Sequence, residues 1–379
     1  MSFNVEYEDM YQAYIDCRKR KKNKRGAKRF EVHALYNIVS LVDEINAGRY
    51  KLSPASCFVI SYPTPREVFC ASFRDRIVQH FVYNELNPII EKLLIRDTAS
   101  CRTGKGTDYA IDRLKTFVRR ETNNYHDGAF YEKIDLSGFF MAIDRNLLLA
   151  KVMDVVETKY TGKYKAVIEY LLPIMVLSDV TIGAQRLCPK SAWDILPARK
   201  TLFGNTYGLP IGNITSQLFA NFYLNDIDHF LKSRHKSVVR YVDDIVIVDR
   251  DKDKLKETRR LLADMLPNIH QKMNEHKTRI HYVKYGIRFL GIKVCPYYAV
   301  LAKSRINRLY YTTSNIHTAE QMLLSASSRK GMLKRYHGYR LNRRWYEHLP
   351  EEIKSKLIRL KDYKYAIRNA TKQKGLMAL

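Results

Sequence analysis

Apolar residues along the chain recur with two periods, one helical and one strand-like. Helical spacing appears first at Tyr7, Met10, Tyr11, Tyr14 and Ile15, and again at Leu35, Ile38, Val42 and Ile45. From 56 to 70 the pattern alternates around prolines, SCFVISYPTPREVFC, and predicts two short strands and a turn. A helix is predicted over residues 74–94 on Ile77, Val78, Phe81, Val82 and Leu86, then a glycine-broken basic loop, CRTGKGTDYA, and another helix over 108–120. GAFYEKIDLSGFF reads as a buried strand ending at Asp135, and Asp144 as the N-cap of the helix RNLLLAKVMDVV. Residues 160–205 predict a longer helix and an irregular, proline-containing segment. The turn TYGLPIGNITSQ, 206–217, runs into an amphipathic helix, NITSQLFANFYLNDIDHFL. VVRYVDDIVIVDR predicts two strands meeting at the aspartates, DKLKETRRLLADML a further helix, and the chain from about 303 onward is helical and basic. No period of 20 to 50 residues repeats, which argues against a solenoid.

Composition narrows the class. A chain of 379 residues with 46% apolar and 12% aromatic content buries a large core in two or three structural units and is not disordered. The formal charge of +27, from 66 basic and 39 acidic residues, exceeds what solubility requires and points to a polyanion, with nucleic acid ahead of an anionic membrane surface. The block RKRKKNKRGAKR at 18–29, nine of whose twelve residues are Lys or Arg, reads as a nucleic-acid-facing loop between two helices. RKGMLKRYHGYRLNRR at 329–344 carries seven basic residues among aromatics, which suits either a backbone-tracking, stacking surface or a helical core face with solvated charges. Apolar stretches such as AVIEYLLPIMVL are interrupted by Glu169 and Pro173 and fall short of the ~20 residues of a membrane span. The acidic N-terminus lacks a secretory pattern, and the six cysteines are scattered without a C-x-x-C pair. Reduced thiols in a cytoplasmic protein are expected, not a zinc site or a disulfide frame.

The chemistry rests on carboxylates. An adjacent Asp pair arises by chance about once in a chain of this length, so Asp243 and Asp244 alone say little. In a tight strand–turn–strand, however, both protrude at the tip among Val242, Ile245 and Val246, and would be costly there without neutralising cations. Asp135 ends a strand of its own, although it could simply cap the following turn. If the strands lie side by side, three carboxylates form a ligand set for two Mg²⁺ ions, which could activate a 3′-hydroxyl and stabilise leaving pyrophosphate.

These residues resemble reverse transcriptases, whose palm carries one Asp in a D-x-x-x-F-[FY] strand end and a Y-x-D-D hairpin. Here they are Asp135 to Phe140 and Tyr241 to Asp244. PREVFCASFRDRIVQHFV resembles the fingers motif, CRTGKGTDYA the basic loop after it, MNEHKT the motif with a late-acting lysine, and YGIRFLGIKV the primer-grip hairpin. The resemblance implies an α+β right-hand polymerase fold. It divides the chain into a basic N-terminal extension at 1–55, fingers at 56–130, a first part of the palm at 131–150, an insertion at 151–205, the palm at 206–298 and a helical thumb at 299–379.

It further implies that Asp135, Asp243, Asp244 and the Leu136 carbonyl bind two Mg²⁺ ions, with Mn²⁺ as an alternative. Arg66 would hold the incoming dNTP through bidentate phosphate contacts. Phe140 would lie beneath the sugar and exclude a 2′-hydroxyl, unless it is an ordinary core residue. Lys277 would protonate pyrophosphate, unless it is merely an exposed lysine at a helix end. Arg102, Lys105, Arg335 and Arg340 are candidates for nucleic-acid contact.

Most reverse transcriptases carry Q-G-x-x-x-S-P in the turn after the palm's first strand, the glutamine touching the nucleotide. This chain has I-G-N-I-T-S-Q, with Ile211, Gly212 and Gln217, and so resembles the reverse transcriptases of diversity-generating retroelements, as does ARKTLF before it. Members copy a template-repeat RNA into cDNA with errors at adenines, diversify a target gene, and work with a small basic accessory protein that forms a ring. The partners implied are template RNA, the RNA–cDNA duplex, dNTPs and that protein, in the cytoplasm of a prokaryote or phage host. Alternatives are a retron- or group II intron-like enzyme, an antiviral template-independent polymerase of the same fold, and an inactive RNA-binding scaffold. The intact aspartates argue against the last, and the I-G-x-x-x-S-Q turn disfavours the retron and intron types.

Overall fold

The computed structural model describes residues 3–19, 21, 23–61, 64–197, 200–313, 317–360 and 365–367. Arg20 and Lys22 of the basic block, Tyr62 and Pro63 of the first strand–strand turn, Ala198 and Arg199 of ARKTLF and the end of the expected thumb lie outside the described residues. Two compact units result: Met1–Ala110, Glu132–Ile247 and Asp251–Ile280 form the first, and Ile111–Tyr131, Val248–Arg250 and His281–Leu379 the second.

Three helices open the chain: α1 (Tyr7–Arg18), α2 (Arg25–Glu31) and α3 (Ala34–Asn46). α1 buries Met10, Ala13, Tyr14 and Cys17 while Tyr7 and Tyr11 stay exposed, so its core stripe is displaced from the one its tyrosines suggest. The second half of the basic block is helix, not loop, because Ala27 and Phe30 bury one side of α2. α3 buries Ile38, Leu41, Val42 and Ile45, whereas Leu35, expected on that face, is 71% exposed. Strands β1 (Ser56–Ile60) and β2 (Arg66–Cys70) then pair antiparallel, as the alternation predicts.

α4 (Phe73–Leu93) starts where Ser72 accepts a hydrogen bond from Asp75 N, and it continues through Pro88. α5 (Thr107–Glu121) precedes β3 (Phe130–Asp135). α6 (Arg145–Lys159) is capped by Asp144, whose carboxylate accepts from Asn146 N and Leu147 N at 2.8 and 3.0 Å. α7 (Lys165–Leu177) is followed by an irregular stretch that includes β4 (Gln185–Arg186), which lies parallel to β1, and a 3-10 turn at Lys190–Trp193. The single helix expected after the 206–217 turn is two, α8 (Ile214–Tyr223) and α9 (Asn225–Arg234), broken at Leu224.

β5 (Val238–Tyr241), β6 (Asp244–Asp249), α10 (Lys252–Met265) and β7 (Arg279–Tyr282) follow, and the sheet order is β5-β6-β3-β7. β8 (Ile287–Phe289), β9 (Ile292–Val294) and β10 (Ala299–Leu301) form an antiparallel meander. Four helices follow: α11 (Lys303–Thr313), α12 (Ala319–Arg335), α13 (Tyr339–Glu347) and α14 (Glu351–Ser355). A final ribbon, β11 (Leu357–Arg359) with β12 (Tyr365–Ile367), was absent from the all-helical expectation and packs in a cluster with Met322, Trp345 and Ile353. Helices and mainly antiparallel strands in separate stretches make this an α+β fold. Among the described residues no helix is long and apolar enough to cross a membrane.

Candidate active site

β5 and β6 pair from Val238↔Ile247 to Tyr241↔Asp244, leaving Val242 and Asp243 as a two-residue loop. The flanking Val238, Val239 and Ile245 to Val248 are fully buried, which is why this run forms strands and its carboxylates are forced to the tip. Val242 has φ 60° and Asp243 does not share the positive φ, the pattern of a type II′ turn with a valine where glycine is favoured. Its amide donates to Ser100 Oγ at 3.1 Å, and its carbonyl accepts from Arg240 Nη1 at 2.9 Å.

β3 lies beside β6, so the strand that ends at Asp135 adjoins the hairpin. Burial, then the charge of Asp244, and with a smaller share that of Asp135, push the Asp243 carboxyl up to about 6. The other two carboxylates have lysine partners: Lys133 Nζ is 3.0 Å from Asp244, and Lys277 Nζ is 3.1 Å from Asp135. Asn274 Nδ2 also donates to Asp135, at 3.3 Å. Leu136 opposes Met273 in an isolated antiparallel bridge whose bonds are made by Ser137 N and the Asp135 carbonyl, so the Leu136 carbonyl is left out of that pairing.

The donor set fits a hard divalent cation. It is all oxygen, and burial together with the neighbouring Asp244 charge disfavours an uncompensated carboxylate at Asp243. Among the described residues the carboxylates are not gathered as a ready ligand cluster. Lys133 and Lys277 provide the positive charge there and must give way to a cation.

The 206–217 turn joins three pieces. Phe69 N donates to the Ile211 carbonyl at 3.0 Å, Ala71 N to Asn213 Oδ1 at 3.4 Å, and Leu209 N to the Phe140 carbonyl at 2.8 Å. Thus β2, which begins with exposed Arg66, the turn, and half-buried Phe140 are tied together. Gly212 sits at φ +129°, and a Cβ there would lie 2.5 Å from the Phe69 carbonyl oxygen. Ile211, expected to face the nucleotide, packs its half-buried side chain on the cluster of Ala55, Cys57, Phe69, Met141 and Leu202. Gln217 is exposed on the first turns of α8.

The basic candidates differ among themselves. Arg102, proposed from sequence to contact nucleic acid, directs its guanidinium inward to Glu91, the Ile95 carbonyl at 2.7 Å and the Thr98 carbonyl at 2.9 Å. With its side chain 6% exposed, it is a structural residue, and that expectation is corrected. Lys105 donates to the Arg96 carbonyl at 2.9 Å, and burial followed by Arg102 lowers its pKa to about 8. Arg335 is exposed and paired with Asp112, and Arg340 is exposed on α13.

Several residues here were not found from sequence. Lys133 had a signal, since it lies two positions before Asp135 and hence on the same strand face. Ser100, Asn221, Asp228 and Arg240, which meet beneath the hairpin, had none, because nothing local indicates that they converge.

The family model for reverse transcriptase (RNA-dependent DNA polymerase) matches residues 63–294, more than half of the chain. No curated protein sequence matches. Among solved structures, apo telomerase from Candida tropicalis truncated from its C-terminal domain is 14% identical, with 69% of this chain and 59% of that chain covered and a TM-score of 0.45. Telomerase from Candida albicans in complex with the TWJ fragment of telomeric RNA is 12% identical, with 87% and 66% covered and a TM-score of 0.47. The chain spans less than two thirds of the length of either. With an α+β right-hand polymerase fold, aspartates at two adjoining strand ends and a family match that encloses both, the chain belongs to the reverse transcriptase family.

Proposed function

We propose that the chain is an RNA-directed DNA polymerase that extends a primer on an RNA template. The observation that carries this reading is the position of the three aspartates, Asp135 at the end of β3, Asp244 at the start of the adjoining β6 and Asp243 in the turn before it, within the reverse transcriptase family match. Two Mg²⁺ ions held by these carboxylates and the Leu136 carbonyl, with Mn²⁺ as an alternative, would supply Lewis-acid activation of the 3′-hydroxyl and stabilise leaving pyrophosphate. Arg66, exposed at the start of β2, would grip the triphosphate, and half-buried Phe140 would set the floor under the sugar. Lys277 would leave Asp135 to deliver a proton to pyrophosphate. In this reading residues 56–130 act as fingers, 131–150 and 206–298 as palm, 151–205 as an insertion and 299–379 as thumb, around an RNA–cDNA duplex.

The finer assignment is to a diversity-generating retroelement, in which a template-repeat RNA is copied in the cytoplasm with errors at adenines. Its support is Ile211 in place of the amide that would check the nucleotide. Ile211 joins an apolar cluster, so the turn is held by packing rather than by a hydrogen bond to substrate. The small basic accessory protein belongs to the same proposal and rests on the sequence resemblance.

The test is primer extension on a defined RNA, with the cDNA sequenced for errors by template base. Errors concentrated opposite adenines, redistributed in Ile211→Gln, support the retroelement reading; uniformly accurate cDNA moves the enzyme to a retron- or intron-like role. Asp243→Ala is expected to abolish incorporation while RNA binding is retained. Synthesis without added RNA would favour the template-independent alternative.

A further inference from the structure

We infer that Arg240, Asp228, Asn221 and Ser100 form a buried clamp that positions the Val242–Asp243 turn, which makes Arg240 and Ser100 positioning residues for the reaction proposed above. The inference rests on that reading of Asp243 and Asp244.

Arg240 is fully buried in β5, with its Nε and Nη2 each 2.6 Å from one oxygen of the equally buried Asp228. A buried ion pair alone is no argument for stability, since an apolar pair of the same shape often does as well. What distinguishes this one is where the remaining donors go. Nη2 also reaches the Asn221 carbonyl of α8 at 2.9 Å, and Nη1 the Val242 carbonyl at 2.9 Å. From the other side, Ser100 Oγ accepts from Val242 N at 3.1 Å and donates to Asn221 Oδ1 at 3.0 Å, while Asn221 Nδ2 returns to the Ser100 carbonyl at 2.8 Å. Thr98 Oγ1 completes the set by donating to Asp228 at 2.6 Å. The main chain is fixed as well: Arg240 N donates to the Asp97 carbonyl at 3.0 Å and Ala99 N to the Arg240 carbonyl at 2.9 Å.

Val242 is therefore held by both of its backbone polar groups in a conformation, φ 60°, that a β-branched residue avoids. Such a conformation persists only where the surroundings over-determine it. The turn it shapes carries Asp243 at its second position and delivers Asp244 to the start of β6. The clamp touches neither carboxylate. Its effect is on where they stand, to which phosphoryl transfer is sensitive.

Ser100→Ala removes one hydroxyl and tests this, with its melting midpoint recorded beside that of wild type. Its cation affinity is read as the midpoint of a Mn²⁺ titration followed by electron paramagnetic resonance on the full chain without RNA or dNTP, and kcat and KM are read by primer extension. The expected result is a Mn²⁺ midpoint raised several-fold, kcat lowered by about 10- to 100-fold with KM for dNTP little changed, and RNA affinity retained. Arg240→Lys, which keeps the charge but not the fork, moves both readouts the same way. Adding Val242→Gly to Ser100→Ala is expected to restore most of kcat, because glycine takes a positive φ without strain. The clamp is overturned if Ser100→Ala lowers thermal stability alone, with kcat and the Mn²⁺ midpoint at wild-type values, or if the glycine gives no rescue. An Asp243→Ala variant that still polymerises sinks the functional reading itself, and the clamp with it.

Discussion

Burial and two neighbouring carboxylates raise Asp243 from the ordinary carboxylate range to about 6 in the folded chain. Its stabilising share is therefore fully present below about pH 4, where both states are protonated, and is lost as pH rises through about 6. In chelator-treated protein, the melting midpoint of Asp243→Asn relative to wild type is expected to increase across that window. Mg²⁺ should close the gap above pH 6, and a difference independent of pH would refute the assignment. At Gly212, alanine meets the Phe69 carbonyl at 2.5 Å in a left-handed backbone, so Gly212→Ala should lose about 1–3 kcal/mol in denaturant unfolding. Unchanged stability would show that the turn can move away from β2. The aspartates were legible in sequence because strand, hairpin and charge are all local signals. The packing of Ile211 was not, since its neighbours come from positions 55, 57, 69, 141 and 202. Arg102 misled for a related reason: a charge count shows no partner.

At the scale of elements, hydrophobic periodicity located helices and strands well and misjudged faces. The α3 pattern contains two apolar stripes, and sequence alone does not say which one is covered; Leu35, Tyr36 and Val39 are on the open side. The α8–α9 break was hidden because apolar residues continue across Leu224. The irregular stretch after β4 carried no periodicity, yet one residue makes three hydrogen bonds to it. Buried Glu67 of β2 accepts from Trp193 Nε1 at 2.5 Å, Thr201 Oγ1 at 3.0 Å and Leu202 N at 2.8 Å. Glu67→Ala would strand those three donors, each worth about 1–3 kcal/mol if left unsatisfied. The expected outcome is selective proteolytic cleavage between 187 and 203, and uniform resistance like that of wild type would count against the anchor.

For the whole molecule, on the proposed function the formal charge of +27 would make phosphate contact the main source of RNA affinity. Counterion release makes that affinity fall steeply with salt, and Kd should rise by more than about tenfold between 50 and 200 mM. A flat dependence in filter binding would remove the basic surface from the binding reading. Composition pointed to a polyanion partner. It could not show that each compact unit is assembled from three separated stretches of chain. That interleaving has a consequence during translation. Ile111, Leu114, Phe117 and Val118 of α5 end up buried in the second unit, most of which is encoded after residue 280. At about 5–20 residues per second, the ribosome leaves that helix waiting on the order of ten seconds for the rest of its unit. A message truncated before residue 281 is therefore expected to yield a fragment that aggregates or is held by chaperones, not a smaller enzyme.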